Sequence, residues 1–89
     1  MARSVGCEVE RVQHGKVAWI TIKVGEALGY GKEERKRLRC LECHGRVKPM
    51  RAGPGGVPCA HFEHFRRHKG CSRGDCFDGT KRIHLDALE

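Results

Sequence analysis

Val5, Cys7 and Val9 alternate with Gly6, Glu8 and Glu10, which is the period of a strand with one dry face. The polar stretch Gln13-His14-Gly15-Lys16 follows and supplies the glycine of a tight reversal. Val17 to Ile22 is β-branched and aromatic, so the first segment predicts a β-hairpin with Trp19 as its largest core contribution. Beyond it, Val24, Ala27 and Leu28 share a helical face, but Gly25, Gly29 and Gly31 hold that helix to about two turns. Lys32 to Arg39 is charged throughout and reads as a solvated helix or a basic loop, with Glu33 and Arg37 at i,i+4 spacing. Residues 45–58 hold four of the twelve glycines and all three prolines, a composition for turns and a hairpin-like connection. Ala60 to Lys69 predicts a helix capped by Gly70, with Phe62 and Phe65 on one face against the hairpin. A turn at Asp78-Gly79 and a short strand through Ile83 and Leu85 complete the pattern, and the closing Leu88-Glu89, readable as a cloning remnant, carries no weight.

Composition explains how such a chain could fold. Eighty-nine residues, 38% hydrophobic and 6% aromatic, make one domain with a thin core. Small domains of this kind rely on disulfides or a metal, and six cysteines with six histidines serve either. The absence of an apolar run after Met1 predicts no secretory signal, no membrane segment and a cytoplasmic chain with reduced thiols. Cysteines grouped with histidines then read as metal ligands. The expected fold is α+β: a zinc-stabilised single domain with a hairpin and short helix (1–31), a zinc-finger-like module with one short helix (32–75) and a tail (76–89).

Cys40-Leu41-Glu42-Cys43 is C-x2-C, a spacing that lets two thiolates reach one tetrahedral ion from a tight turn. A cluster of cysteine and histidine follows within about thirty residues and turns a moderate signal into a strong one. On a helix through 61–69, His64 and Cys71 lie two turns apart on one side, so Cys40, Cys43, His64 and Cys71 form the leading ligand set for one structural Zn²⁺. His61 with His64, or His64 with His68, remain open as alternatives, His61 being the first substitute. Cys7 reads as a core thiol, Cys59 as a buried one, and His44, His68 and His84 as surface residues.

The order C-x2-C, then Glu63-His64, then six residues and Cys71, resembles the zinc core of BIR domains. That resemblance implies the same four ligands, and a BIR-like core is also the basis of a protein-interaction reading. RCLECHGRVKPMRAG followed by AHFEHF is similar to a zinc module of small bacterial proteins and to the zinc-binding part of CoiA-like competence proteins. Here the matching positions are Cys40, Cys43, His61 and His64, and the implied setting is bacterial and DNA-associated.

Charge separates the functional readings. Residues 1–31 carry four basic and three acidic side chains, 32–73 twelve and four, and 74–89 two and four. The positive field therefore sits on the metal module and favours nucleic acid or an acidic protein as partner of a monomeric adaptor. Arg37, Arg39, Arg66, Arg67 and Lys69 are the candidate phosphate contacts. The rival reading is enzymatic: Glu63-His64 after C-x2-C has a superficial likeness to the acid-histidine pair of HNH nucleases. That motif also needs an asparagine, and the chain has none.

Overall fold

The computed structural model describes residues 5–74 and 76–88. Strand β1 (Gly6–Gln13) pairs antiparallel with β2 (Lys16–Lys23), and the hairpin register closes on Gln13 opposite Lys16. His14 and Gly15 form the two-residue turn with φ of 52° and 76°, the positive pair that a hairpin with right-handed twist requires. Two single-turn helices follow, α1 (Val24–Ala27) and α2 (Lys32–Arg35). The chain then returns to the hairpin as β3 (Leu38–Arg39), which pairs with β1 and gives the strand order β2-β1-β3.

A second sheet carries the rest of the frame. Strand β4 (Val47–Met50) pairs antiparallel with β5 (His61–His64), and between them lies a 3₁₀ turn at Pro54–Gly56. A single bridge between Arg39 and Arg46 joins the end of β3 to the start of β4. The α+β class therefore stands, with two antiparallel sheets and short helical turns.

Three local expectations are corrected. The segment expected as a helix over 60–69 contains β5, because Phe62 and Val47 are buried and β4 supplies the pairing partner that helix propensity ignores. Part of the expected turn region is β4 itself. The tail around Ile83 and Leu85 forms no strand; both side chains are exposed.

The core explains why this chain needs help. The molecule is only 17 Å thick along its shortest axis, about one layer of side chains between surfaces. Its fully buried side chains of largest volume are Leu38, Val9, Cys7, Cys40, Cys43 and Cys71. Four of these six are cysteines, so the centre of the core consists of sulfur rather than large hydrocarbon. Trp19 does not fill it. The indole lies on the other face of the sheet, half-buried, with the Arg39 guanidinium 3.7 Å from its ring centre. Phe62 is buried, whereas Phe65 points away from the core and is 51% exposed. Strand alternation explains that split: residues three apart share a helix face but take opposite faces of a strand.

Candidate metal centre

Cys40 and Cys43 stand on the connection between β3 and β4. The Cys40 N–H donates to the Gly45 carbonyl at 2.8 Å, and the His44 N–H donates to the Cys40 carbonyl at 3.1 Å, which closes a compact knuckle. His44 takes a φ of 62° to complete it. Within the turn, the Glu42 N–H approaches the Cys40 sulfur and the Gly45 N–H the Cys43 sulfur, each at 3.4 Å. Amide dipoles thus face both sulfurs, an environment for thiolates.

The other half comes from the end of β5 and the loop after it. His64 projects from the last position of β5, and Cys71 follows buried Gly70. The Cys40 and Cys71 sulfurs are 3.5 Å apart, and the Cys43 sulfur lies 3.3 Å from His64 Nε2. All four candidate ligand atoms fall within 4.8 Å of one another. A tetrahedral zinc site with Zn–S bonds of about 2.3 Å has sulfur–sulfur edges of about 3.8 Å, so the spacing fits one ion at the centre.

Without a cation the cluster is electrostatically awkward. The thiol hydrogen bond from Cys43 brings Cys40 down to about 3, against the opposing effect of burial. Cys43 is pushed far up by its hydrogen bond to Cys40 and by burial, and Cys71 rises to about 11, chiefly from burial. Only one of three thiols is comfortable as an anion. A divalent ion reverses that balance by stabilising all three thiolates at once.

His61 lies outside the cluster. It is 3% exposed, its Nδ1 lies 2.7 Å from the Cys59 carbonyl and its Nε2 2.9 Å from Glu63 Oε2. Three positions apart on a strand, His61 and His64 face opposite ways, so the H-x2-H alternative fails for a geometric reason. His68 is also outside, 4.7 Å from the His84 ring, with Nε2 2.8 Å from the Arg82 carbonyl. Cys7 is fully buried, and burial pushes its thiol up to about 12; Cys59 is exposed rather than buried.

Sequence reasoning missed the residues that hold the two halves together. The Glu42 carboxylate accepts hydrogen bonds from the Ser72 N–H at 2.5 Å and the Ser72 hydroxyl at 2.6 Å, tying the knuckle to the Cys71 loop. His84, expected on the surface, is 7% exposed; its N–H donates to the Cys43 carbonyl at 2.8 Å, and its ring lies parallel to His64 at 6.4 Å. Gly45 admits that ring, since a Cβ there would stand 2.5 Å from His84 Cδ2. Leu88, given no weight in the sequence, donates its N–H to the His44 carbonyl and accepts from Arg39 at 2.8 Å. No local motif signals any of these long-range contacts.

The predicted phosphate contacts divide sharply. Arg39 is buried, bonded to Glu8 at 2.9 Å, and Arg37 is paired with Glu10. Arg66 pairs with Asp86 at 3.2 Å, while Arg67 and Lys69 are exposed. The charged run before the knuckle is therefore largely neutralised by acids of β1 and α2, and Arg39 is withdrawn as a contact.

A protein-family model matches residues 2–89. An uncharacterized protein of Azorhizobium caulinodans is 44% identical over 85 residues, covering 93% of this chain and 94% of its own length. The chain belongs to this family of small bacterial proteins. No solved structure matches it. Among the described residues, no helix is long and apolar enough to cross a membrane.

Proposed function

We infer that Cys40, Cys43, His64 and Cys71 hold one structural zinc ion, and that the domain it organises binds nucleic acid through the solvent face of the β4–β5 ribbon. The observation that carries the binding reading is a contrast in charge pairing. Arg35, Lys36, Arg37 and Arg39 bond to acidic groups or backbone carbonyls, whereas Arg46 and Lys48 have no acidic partner among the described residues. Arg46 and Lys48 stand two apart on an extended segment and so project to one side, with exposed Arg51 beyond them. Cations left without local neutralisation are the ones able to exchange counterions for phosphates.

A four-ligand shell of three thiolates and one imidazole suits a structural role, because a catalytic zinc keeps one position for water or substrate. The nuclease reading loses support on that ground, and also because His64, the histidine of its Glu63-His64 pair, is committed to the cluster while Glu63 bonds His61.

Two measurements test the reading. Elemental analysis of the purified protein should give one zinc per chain, with loss of the dispersed amide spectrum on chelation; a chain that stays folded without metal removes the structural role. For binding, Arg46→Gln with Lys48→Gln should weaken association with DNA and lower the salt dependence by about 0.9 per lost phosphate contact. Affinity and salt slope unchanged from the native chain would remove the ribbon as the binding face.

A further inference from the structure

Phe65 is the misplaced residue of this fold. The chain has three phenylalanines and a core whose largest fully buried side chain is Leu38, yet Phe65 is 51% exposed. The side chain is held out by design of the ribbon. Its N–H donates to the Arg46 carbonyl at 3.1 Å, so Phe65 sits directly across from Arg46 just beyond the end of the β4–β5 pairing. The Arg46 guanidinium stands 4.6 Å from the ring centre and Lys48 Nζ 5.5 Å from it. An aromatic ring with two cations over it, and half of its surface still open to solvent, thus stands on the solvent face where the backbone hydrogen bond places it.

Beside it opens a cleft of about 250 Å³ lined by Arg46, Phe65, Arg66, His84 and Asp86. That is below the usual range for drug-sized ligands. Two acids lie near this face, Asp86 paired with Arg66 at 3.2 Å and Glu63 opposite Lys48 and bonded to His61 at 2.9 Å, against the three cations Arg46, Lys48 and Arg66. The remaining field is positive.

We propose that this face takes single-stranded nucleic acid, one base stacking on Phe65 while Arg46 and Lys48 contact the flanking phosphates. The inference rests on the nucleic-acid reading above and narrows it. A duplex offers phosphates but keeps its base faces inside the stack; only an unpaired strand can present a base to an exposed ring. Stacking also tolerates any base, so the face selects strandedness rather than sequence.

The test is fluorescence anisotropy with oligothymidylate and oligouridylate probes of about 12 nucleotides, within the usual span of single-strand sites, beside a duplex of equal length. The single strands should bind more tightly than the duplex. Phe65→Ala should lower their affinity roughly 5- to 150-fold per stacked base, leave duplex binding unchanged, and be rescued by Phe65→Trp. The thymidylate and uridylate arms separate DNA from RNA as the source of the strand. Equal binding of duplex and single strand, unchanged in Phe65→Ala, would overturn the single-strand proposal and leave the broader reading intact. Binding to neither overturns both. Binding of polyglutamate in place of the oligonucleotides, lost in Phe65→Ala, also overturns it and assigns the face to an acidic protein. Metal content and amide dispersion of the Phe65→Ala protein confirm that the half-exposed ring was removed without loss of the fold.

Discussion

Removing the Glu42 carboxylate is the sharpest perturbation of the metal centre that leaves all four candidate ligands in place. Glu42 lies between Cys40 and Cys43, yet its side chain bonds neither sulfur in a ligand role; it reaches across to Ser72, the neighbour of Cys71. Lys81 stands 3.6 Å away on the outer side. Hydrogen bonds to a charged group contribute about 1.5–3 kcal/mol each, and the two to Ser72 share one acceptor group, so together they are worth roughly 3 kcal/mol. The carboxylate is 18% exposed, which leaves most of that value unscreened, while the longer contact to Lys81 adds little. Glu42→Ala should therefore cost about 3 kcal/mol of stability and Glu42→Gln, which can still accept one bond, about half as much.

The same clamp should set metal affinity, because it ties the Cys71 loop to the knuckle. Outer-shell partners of this kind change metal binding by about 10- to 100-fold. Competition for zinc against a chromophoric chelator measures it directly. Glu42→Ala should fall in that range, and Ser72→Ala combined with it should add little, since both remove the same contact. The sign with pH follows from Ser72 holding the Glu42 carboxyl below the usual range. A depressed folded value means the clamp contributes fully above the ordinary glutamate range and is lost as pH falls from there through the depressed folded value. Native zinc affinity in Glu42→Ala, within a factor of two at neutral pH, would refute the clamp.

Three other outcomes follow from named contacts. Arg39→Ala leaves Glu8 with His44 at 4.0 Å in place of the arginine, uncovers Trp19 and frees the Leu88 carbonyl, so it should lower the urea unfolding free energy by about 3 kcal/mol; a change of a few tenths would mean the ion pair is as weak as an exposed one. Gly45→Ala places a Cβ 2.5 Å from the His84 ring, and the displaced tail should cost about 1–3 kcal/mol, visible as loss of amide protection at residues 84–88. Iodoacetamide at mildly alkaline pH should modify exposed Cys59 first and spare Cys7, whose buried thiol lies up at about 12. Mass spectrometry should then find Cys40, Cys43 and Cys71 labelled only after chelator is added; labelling of all three in the zinc-loaded protein would contradict ligation.

The hairpin and the ligand candidates were legible for local reasons. Alternation at Cys7 and Val9, with a His-Gly reversal, is a short-range pattern, and the register follows from it. The C-x2-C knuckle is likewise specified within six residues. Helical spacing pairs His64 with Cys71, and the structure brings them together by another route: a strand end and an irregular loop. Local propensity pointed to a helix at 61–69, but a strand here lets Phe62 enter the core and His64 face the sulfurs. Only the partner strand, fourteen residues earlier, makes that alternative visible.

Sequence order hides the pairing of charges for the same physical reason, and the difference locates the surface that matters. A run such as KEERKRLR looks like one positive patch when only neighbours in sequence are considered. In three dimensions β3 lies beside β1, which brings Glu8 to Arg39 and Glu10 to Arg37, while Glu33 meets Lys36 and Glu34 meets Arg11. Four of the five cations of the densest run in the sequence are therefore bonded to acids or to backbone carbonyls. The sparser Arg46 and Lys48 form no salt bridge among the described residues: β5 opposes Arg46 with Phe65, and Lys48 with a Glu63 whose carboxylate is turned to His61. Field strength follows pairing rather than residue count, so the ribbon, and not the run, should dominate the salt dependence of any polyanion complex. Charge reversal at Arg35 and Lys36 should leave that slope nearly unchanged, whereas reversal at Arg46 and Lys48 should abolish binding; the opposite ranking would return the binding surface to the segment before the knuckle.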